Sequence, residues 1–485
     1  MYVLGIDLGT QGARALITDL DGRVCVEIAD AFPPKQVTSE QPGVFEQDPL
    51  VWRRSVVTAL TEAVSRFVSA GHPATDIAAL SVTSTSGTLC MVDAVGEPVG
   101  SAIMYSDTRS IAEAEEAQAA GGETVARIGA RFNASFALNK ALWLQRHAPE
   151  VMHRARWLLS PTDLIIGWLS GEWGRTDWTN ALKWGYDLVD LRWPEFIARD
   201  LALPLEKLPR VEAPGAIVGR ADTPLAAQAG LTPSTQVVAG ATDGTASQLA
   251  SGAVSPGEWN STLGTTLVLK GVSDSLLTDP LGRIYCHRHP DGYWLPGGAS
   301  STGADCLARR FDSADLSRLD EAALACAPTD LVIYPLVRRG ERFPFLKEDA
   351  EGFTLGESDD AATRLAAHLE GLAYVERLAY ETVESLGAVV SDTVFAVGGA
   401  TRSNAGLQIR ADVLGRRMWL PRSPSGAMGA AVLAARGVAF TSLHAAARRM
   451  VRCQSIIEPR TEHASAYTER YERFIAACRE RGYLS

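Results

Sequence analysis

One design is written twice in this chain. Val3, Leu4 and Ile6 form an apolar run closed by Asp7, Gly9-Thr10-Gln11-Gly12 turns the backbone, and residues 13–19 return as a second strand before Asp21-Gly22 turns again. Residues 260–270, NSTLGTTLVLK, repeat the order of strand, Gly-Thr turn and strand. Two such hairpins, each opening a large α/β half, suggest duplicated domains facing one nucleotide between them.

The first turn also constrains the chemistry. Glycine lets a backbone approach an anion without Cβ interference, and the amides and Thr10 hydroxyl of the turn can then donate to phosphate. Asp7 would repel that phosphate unless a cation stood between them, so a metal-nucleotide fits the pairing better than a bare anion. Mg²⁺ is favoured for its hard oxygen ligands and retained waters. An ordinary buried hairpin satisfies the same local pattern.

At 485 residues the chain exceeds one ordinary core, so two domains, or three, are expected. The formal net charge of −11 argues against nucleic acid or an anionic membrane as partner. Seven cysteines, at 25, 90, 286, 306, 326, 453 and 478, show no CxxC spacing, so neither a zinc site nor a disulfide framework is indicated. Residue 1 leads into a strand without the features of a signal peptide, and no apolar run approaches about 20 residues. The expected location is the cytoplasm.

Further along, Asp48-Pro49 opens a helix through Trp52, Val56, Leu60 and Val64. Residues 76–82 read as a strand, followed by the hydroxyl-rich turn Thr83-Ser84-Thr85-Ser86-Gly87-Thr88, which can bind a polyol or serve only as a turn. Asp107 reads as a helix cap, residues 156–171 as a packed helix, and 177–187 as a polar, Trp-bearing loop. A strand over 235–240 ends at Ala241-Thr242-Asp243-Gly244-Thr245, where Asp243 either projects into a cleft or caps the following helix. Residues 299–303 begin an amphipathic helix whose amides can meet a phosphate oxygen, Gly303 among them. Residues 338–345, RRGERFPF, read as a charged surface loop, and the basic helix around 470–481 as surface. A strand over 393–397 enters Gly398-Gly399-Ala400-Thr401-Arg402-Ser403-Asn404, where paired glycines permit flat contact with a nucleotide and Asn404 can bond its base or ribose.

In combination, GIDLGTQGAR at 5–14, YSDTRS at 105–110, TDWTNALKWGYD at 176–187, GATDGTASQ at 240–248, STLGTT at 261–266 and GGATRSN at 398–404 resemble the FGGY family of carbohydrate kinases. That resemblance implies an α/β fold of two ribonuclease-H/actin-like domains with an interdomain catalytic cleft. Residues 1–240 would form the sugar-binding domain, 241–440 the nucleotide-binding domain and 441–485 a C-terminal helical extension. It implies ATP and Mg²⁺ as cofactors, with Asp7 organising the metal and the substrate and Asp243 acting as catalytic base. Gly9, Thr10, Gly264 and Thr265 match the family's phosphate turns; Gly398, Gly399, Ala400 and Asn404 match its adenosine side.

Xylulokinases of the family carry Met-His in the sugar-side turn where this chain has Ser86-Gly87. Thr85-Ser86-Gly87-Thr88 instead resembles the turn of the D-ribulokinase subgroup, as do NALKWGYD at 180–187, HRHPDGYWLPGGASSTG at 287–303 and GERFPF at 340–345. By this resemblance Gln11, Gly12, Ala13, Arg14, Ser86, Gly87 and Asp107 join Asp7 and Asp243 as substrate contacts, with Gln11 departing from the subgroup's serine. The expected reaction is phosphorylation of the C5 hydroxyl of a ketopentose, D-ribulose first. Alternatives are D-xylulose, L-ribulose or an alditol, and a non-catalytic actin-like switch. The partners are sugar and ATP, with a homodimer as an open assembly and neither nucleic acid nor membrane.

Overall fold

The first hairpin becomes the centre of a sheet. In the computed structural model, which describes residues 1–34, 36–39 and 41–484, β1 (Tyr2–Leu8) returns as β2 (Gly12–Asp19) and continues into β3 (Val24–Ala31). With β4 (Ile77–Ser84), β5 (Ile217–Arg220) and β6 (Gln236–Thr242) the strand order is β5-β6-β4-β1-β2-β3. The tight turn makes β2 antiparallel to β1, whereas the crossover through helix Pro49–Ser69 delivers β4 parallel to it, and β6 lies parallel to β4.

Alternation along β1 sends its side chains to two cores. Leu4, Ile6 and Leu8 pack with Trp52, Val56, Leu60 and Phe67 of helix Pro49–Ser69. Val3 packs on the opposite face with Leu16, Val238, Ala427, Met428 and Ala431, the last three from helix Gly426–Val438. That helix is built of small residues and sits very close to the strand: a Cβ on Gly5 would lie 1.8 Å from the Ala427 carbonyl oxygen.

The second hairpin builds the same way. β7 (Trp259–Leu263) and β8 (Leu267–Gly271) are antiparallel around the Gly-Thr turn, and β9 (Ile284–Arg288) and β10 (Trp294–Ala299) extend that side. β11 (Thr393–Val397) and β12 (Arg417–Pro421) add in parallel on the other side, and β13 (Cys453–Ile457) closes the edge antiparallel. Each sheet thus has a central strand with a hairpin return on one flank and a parallel crossover on the other, the repeat expected from residues 3–19 and 260–270.

The division of the chain differs from the expected cuts after 240 and 440. One compact unit contains Met1–Val254, His287–Gly292 and Ser423–Arg452; the other contains Ser255–Cys286, Tyr293–Arg422 and the chain from Cys453 onward. β6 and the helix after it stay with the first sheet because β6 pairs with β4. The expected 441–485 extension is split, helix Leu443–Met450 belonging to the first unit and helix Ala464–Glu480 to the second.

Several local expectations are corrected. Residues 156–171 are not one helix: Trp157–Leu159 is a strand, and helix Pro161–Ser170 starts only at Pro161, with a capping box from Ser160 and Asp163. Asp107 caps no helix, since Ser110 is the N-cap of Ile111–Ala126. Residues 299–303 lead into the single turn Asp305–Ala308 rather than a long helix. Helix Ala464–Glu480 is not merely surface, because Tyr467, Tyr471 and Phe474 are buried.

Candidate active site

Asp7 stands near the carboxyl end of β1, level with Arg14 on β2 and Thr83 on β4. Its carboxylate meets Gly426, the first residue of helix Gly426–Val438, where a Cβ would lie 2.7 Å from the carboxylate carbon. Burial and then the charge of Asp243 push the Asp7 carboxyl up to about 6, with Arg14 opposing. Two carboxylates 236 positions apart in the sequence therefore share one electrostatic site within the first unit.

Asp243 is delivered by β6, whose next residue begins helix Asp243–Ser251. Its Oδ1 accepts the Gly244 amide at 2.6 Å, which orients the carboxylate. The strand end is pinned from behind: the Thr242 amide donates to Thr179 Oγ1 at 2.9 Å, and Thr179 Oγ1 donates to Asp177 Oδ1 at 2.5 Å. Asp177 is buried, and burial raises its carboxyl despite hydrogen bonds from Thr179 and Asn180. The TDWTN segment, a polar loop by its sequence, is the support of β6.

The turn expected on the sugar side, residues 83–88, follows β4 in the same unit. Thr83 Oγ1 and Ser86 Oγ are buried without a hydrogen-bond partner among the described residues. Gly87 has φ +88°, and a Cβ there would lie 2.1 Å from the Ser135 carbonyl oxygen, so the 133–136 loop closes tightly over the turn. Lys183 lies beside it: its Nζ donates to Ser135 Oγ at 3.1 Å and stands 4.3 Å from the Phe136 ring centroid. Burial alone lowers the Lys183 ammonium to about 8, and among the described residues no carboxylate pairs with it. Lys183 lies within NALKWGYD, but its pattern alone gives it no role.

The other expected contacts divide. Thr10 and Gln11 are exposed at the hairpin tip, which the Gly9 amide closes by donating to the Gly12 carbonyl at 3.0 Å. Gly12 lies where a Cβ would meet the Asp30 carbonyl at 2.3 Å. Arg14 pairs with Glu27 at 3.5 Å, and Ala13 is buried in the core. Asp107 is fully buried, its oxygens engaged by the Phe45 amide at 2.7 Å and by the Arg109 guanidinium.

The second unit gathers the expected nucleotide turns. A Cβ on Gly303 would stand 2.3 Å from the Thr265 carbonyl oxygen, and the Ala304 amide donates to the Gly264 carbonyl at 2.8 Å. Gly398, at φ +96°, comes equally close to β7, its absent Cβ lying 2.5 Å from the Leu263 oxygen. Gly399, Ala400 and Asn404 line a cavity of about 510 Å³ with Leu307, Leu365 and Asp320. Asp320, which no motif marks, accepts Ser403 Oγ at 2.5 Å and the Ala405 amide at 3.1 Å, fixing the Gly398–Asn404 turn from outside.

Two actin-like sheets, each carrying a Gly-Thr hairpin turn, define an α/β phosphotransferase architecture. The chain belongs to the FGGY family of carbohydrate kinases, residues 2–250 matching the family's N-terminal domain and residues 261–438 its C-terminal domain. It is similar to a xylulose kinase of Bacillus subtilis (strain 168), 27% identical over 96% of this chain and 94% of that one. It is also similar to a gluconokinase of the same strain, 26% identical over 89% of this chain and 86% of the relative. The crystal structure of a xyloylose kinase from Brucella ovis superposes with a TM-score of 0.87 at 26% identity, covering 100% of both chains. The protein is thus an ATP-dependent carbohydrate kinase. Among the described residues no helix is long and apolar enough to cross a membrane.

Proposed function

We propose that the protein transfers the γ-phosphoryl group of ATP to the terminal C5 hydroxyl of a ketopentose, with D-ribulose as the preferred acceptor. The observation that carries this reading is the Asp7–Asp243 pair at the ends of β1 and β6, beside a turn whose buried hydroxyls lack protein partners among the described residues. In open α/β sheets, ligands bind outside the carboxyl ends of the parallel strands.

In this reading Asp243 accepts the C5 hydroxyl proton, which requires its carboxylate within about 2.6–3.2 Å of that oxygen when substrate is bound. Thr83 and Ser86 complete their hydrogen bonding with sugar hydroxyls, and Gln11, Gly12, Arg14 and Gly87 shape the same pocket. Gly9, Thr10, Gly264, Thr265 and Gly303 offer backbone and hydroxyl donors to the phosphates, while Gly398, Gly399, Ala400 and Asn404 face the adenosine.

The residues fit a Mg²⁺ ion. Two carboxylates close enough for the charge of one to raise the proton affinity of the other suit a hard divalent ion that keeps several waters. Asp7 would hold it, directly or through water. Bound there, the ion would supply charge neutralisation at the phosphoryl oxygens.

The sugar-side turn supports D-ribulose, whereas the names of the relatives support D-xylulose and gluconate. Lys183, an ammonium without a carboxylate partner among the described residues beside that turn, lends the aldonate its physical argument. ADP release measured against D-ribulose, D-xylulose, L-ribulose, ribitol and D-gluconate decides among them. The highest kcat/KM is expected for D-ribulose, and a higher value for any other acceptor replaces it.

A further inference from the structure

The segment GERFPF at 340–345, expected as a solvated charged loop, contains the most heavily bonded carboxylate beside the nucleotide turns. Glu341 is only 2% exposed. Its Oε2 accepts Ser300 Oγ at 2.8 Å, Thr302 Oγ1 at 2.8 Å and Tyr334 Oη at 3.0 Å. Its Oε1 accepts the amides of Ser301 at 2.5 Å, Arg342 at 2.9 Å and Phe343 at 3.5 Å. A buried carboxyl group must find hydrogen-bond partners, and Glu341 accepts from three hydroxyls and three amides.

Three of those donors belong to residues 300–302, the approach to Gly303. That turn is stitched in turn to the phosphate hairpin: Ser300 N donates to Leu267 O at 2.9 Å, Leu267 N to Thr302 O at 2.8 Å, and Ala304 N to Gly264 O at 2.8 Å. The backbone bonds set the strand register. The carboxylate adds something they cannot, since it fixes the Ser300 and Thr302 hydroxyls and the Ser301 amide in one orientation. Glu341 itself is held by the bridge in which its amide and carbonyl pair with Lys347 at 2.8 and 2.9 Å.

We propose that Glu341 is a positioning residue for the nucleotide, holding the turn at 300–303 against the Gly264-Thr265 turn so that both present their donors to the phosphates together. The inference rests on the reading that these turns receive the phosphates; it does not depend on which sugar is phosphorylated.

The test is Glu341→Gln, measured by calorimetric titration with Mg-ADP in the absence of sugar and by steady-state kinetics. Gln can still accept the three amides through its oxygen, but presents an NH₂ to hydroxyls already pointed at a carboxylate. The expected result is a rise of about tenfold in the Mg-ADP Kd and in the KM for ATP, about the cost of one lost hydrogen bond, with the KM for the acceptor sugar unchanged. Tyr334→Phe removes the hydroxyl that shares Glu341 Oε2 with Ser300 and Thr302 and should raise the Mg-ADP Kd by less than E341Q does, because the carboxylate and its bonds to the turn remain. An E341Q enzyme with wild-type Mg-ADP affinity, or one in which both KM values rise in step, overturns the proposal. Should E341Q not fold, Ser300→Ala decides it by the same titration: weakened Mg-ADP binding supports Glu341 and unchanged binding refutes it. Failure of the wild type to phosphorylate D-ribulose would sink the acceptor assignment alone, because the Mg-ADP titration is read without sugar.

Discussion

Gly426 and Asp7 are in contact: a methyl group on Gly426 would stand 2.7 Å from the Asp7 carboxylate carbon and 2.7 Å from its Oδ2. The start of helix Gly426–Val438 therefore decides where that carboxylate points. Gly426→Ala should fold, because the short Asp7 side chain can swing aside at a cost of about 1–3 kcal/mol. A hundredfold drop in kcat/KM, roughly, is expected for a displacement of this size at the reacting centre. Kinetics of G426A alongside its melting curve check this, and wild-type kcat/KM would show that the contact is idle.

The raised Asp7 carboxyl has a signed consequence. Its native value of about 6 lies above the unfolded value of about 3.9, so protonation favours the native state. That contribution is complete below the unfolded value and is lost as pH rises through about 6. Asp7→Asn should then be inactive yet more stable, melting about 2–4 °C higher at pH 8, with the gain vanishing near pH 4. Melting curves of the metal-free and nucleotide-free protein across that range test it, and a gain independent of pH would mean that the charge on Asp7 is not its source.

Asp243→Asn keeps the size of the side chain and the acceptor for the Gly244 amide while removing the base. We expect kcat to fall by about 10²–10⁴ with the Mg-ADP Kd unchanged. Full turnover would take the base role away from Asp243.

Lys183 gives a pH dependence of its own. Its ammonium, lowered to about 8 by burial, loses its proton as pH rises through that value, where an ordinary lysine stays charged. The acceptor KM of the wild type should rise between pH 7 and 9, and Lys183→Met should show the raised KM throughout with no pH dependence. The KM for ATP should not move. A flat wild-type profile would place Lys183 outside the acceptor site.

Gly399 faces open space in the cavity it lines with Ala400 and Asn404, with no atom within 4 Å of the point a Cβ would occupy. Gly399→Val should therefore leave the Tm nearly unchanged and raise the KM for ATP by an order of magnitude, roughly what a lost close backbone approach costs. Unaltered ATP kinetics would move the adenosine elsewhere.

Residues whose role depends on local pattern are legible in the sequence. Asp7, the Gly9–Gly12 turn and its echo at Gly264-Thr265 are strand-and-turn features, and β1, β2, β7 and β8 fall where alternation and glycine place them. The roles of Lys183 and Glu341, which lie inside quoted motifs, and of Asp320, which does not, are not legible, for a common reason. Each acts through a partner far away in sequence or through burial that no local window encodes: Lys183 on Ser135, Glu341 on residues 300–302, Asp320 on Ser403. A charge run such as RRGERFPF reads as solvated because three of its residues are arginines at the surface or edge, and only the closed loop reveals that its one acid is turned inward. The domain cuts fail similarly. Pairing of β6 with β4, not composition, assigns Asp243 to the first sheet.

The return of residues 423–452 to the first sheet also sets the order in which the protein can be completed. Helix Gly426–Val438 is the cover for Val3, Leu16, Ala79 and Val238, and it emerges from the ribosome only after the entire second sheet except its last strand. A chain released at Val254 would carry a bare apolar face where that cover belongs, and its Asp7 would lack the helix end that aims it. The amino-terminal half is thus no free-standing module, and a truncation or frameshift before residue 426 leaves the first sheet without its cover.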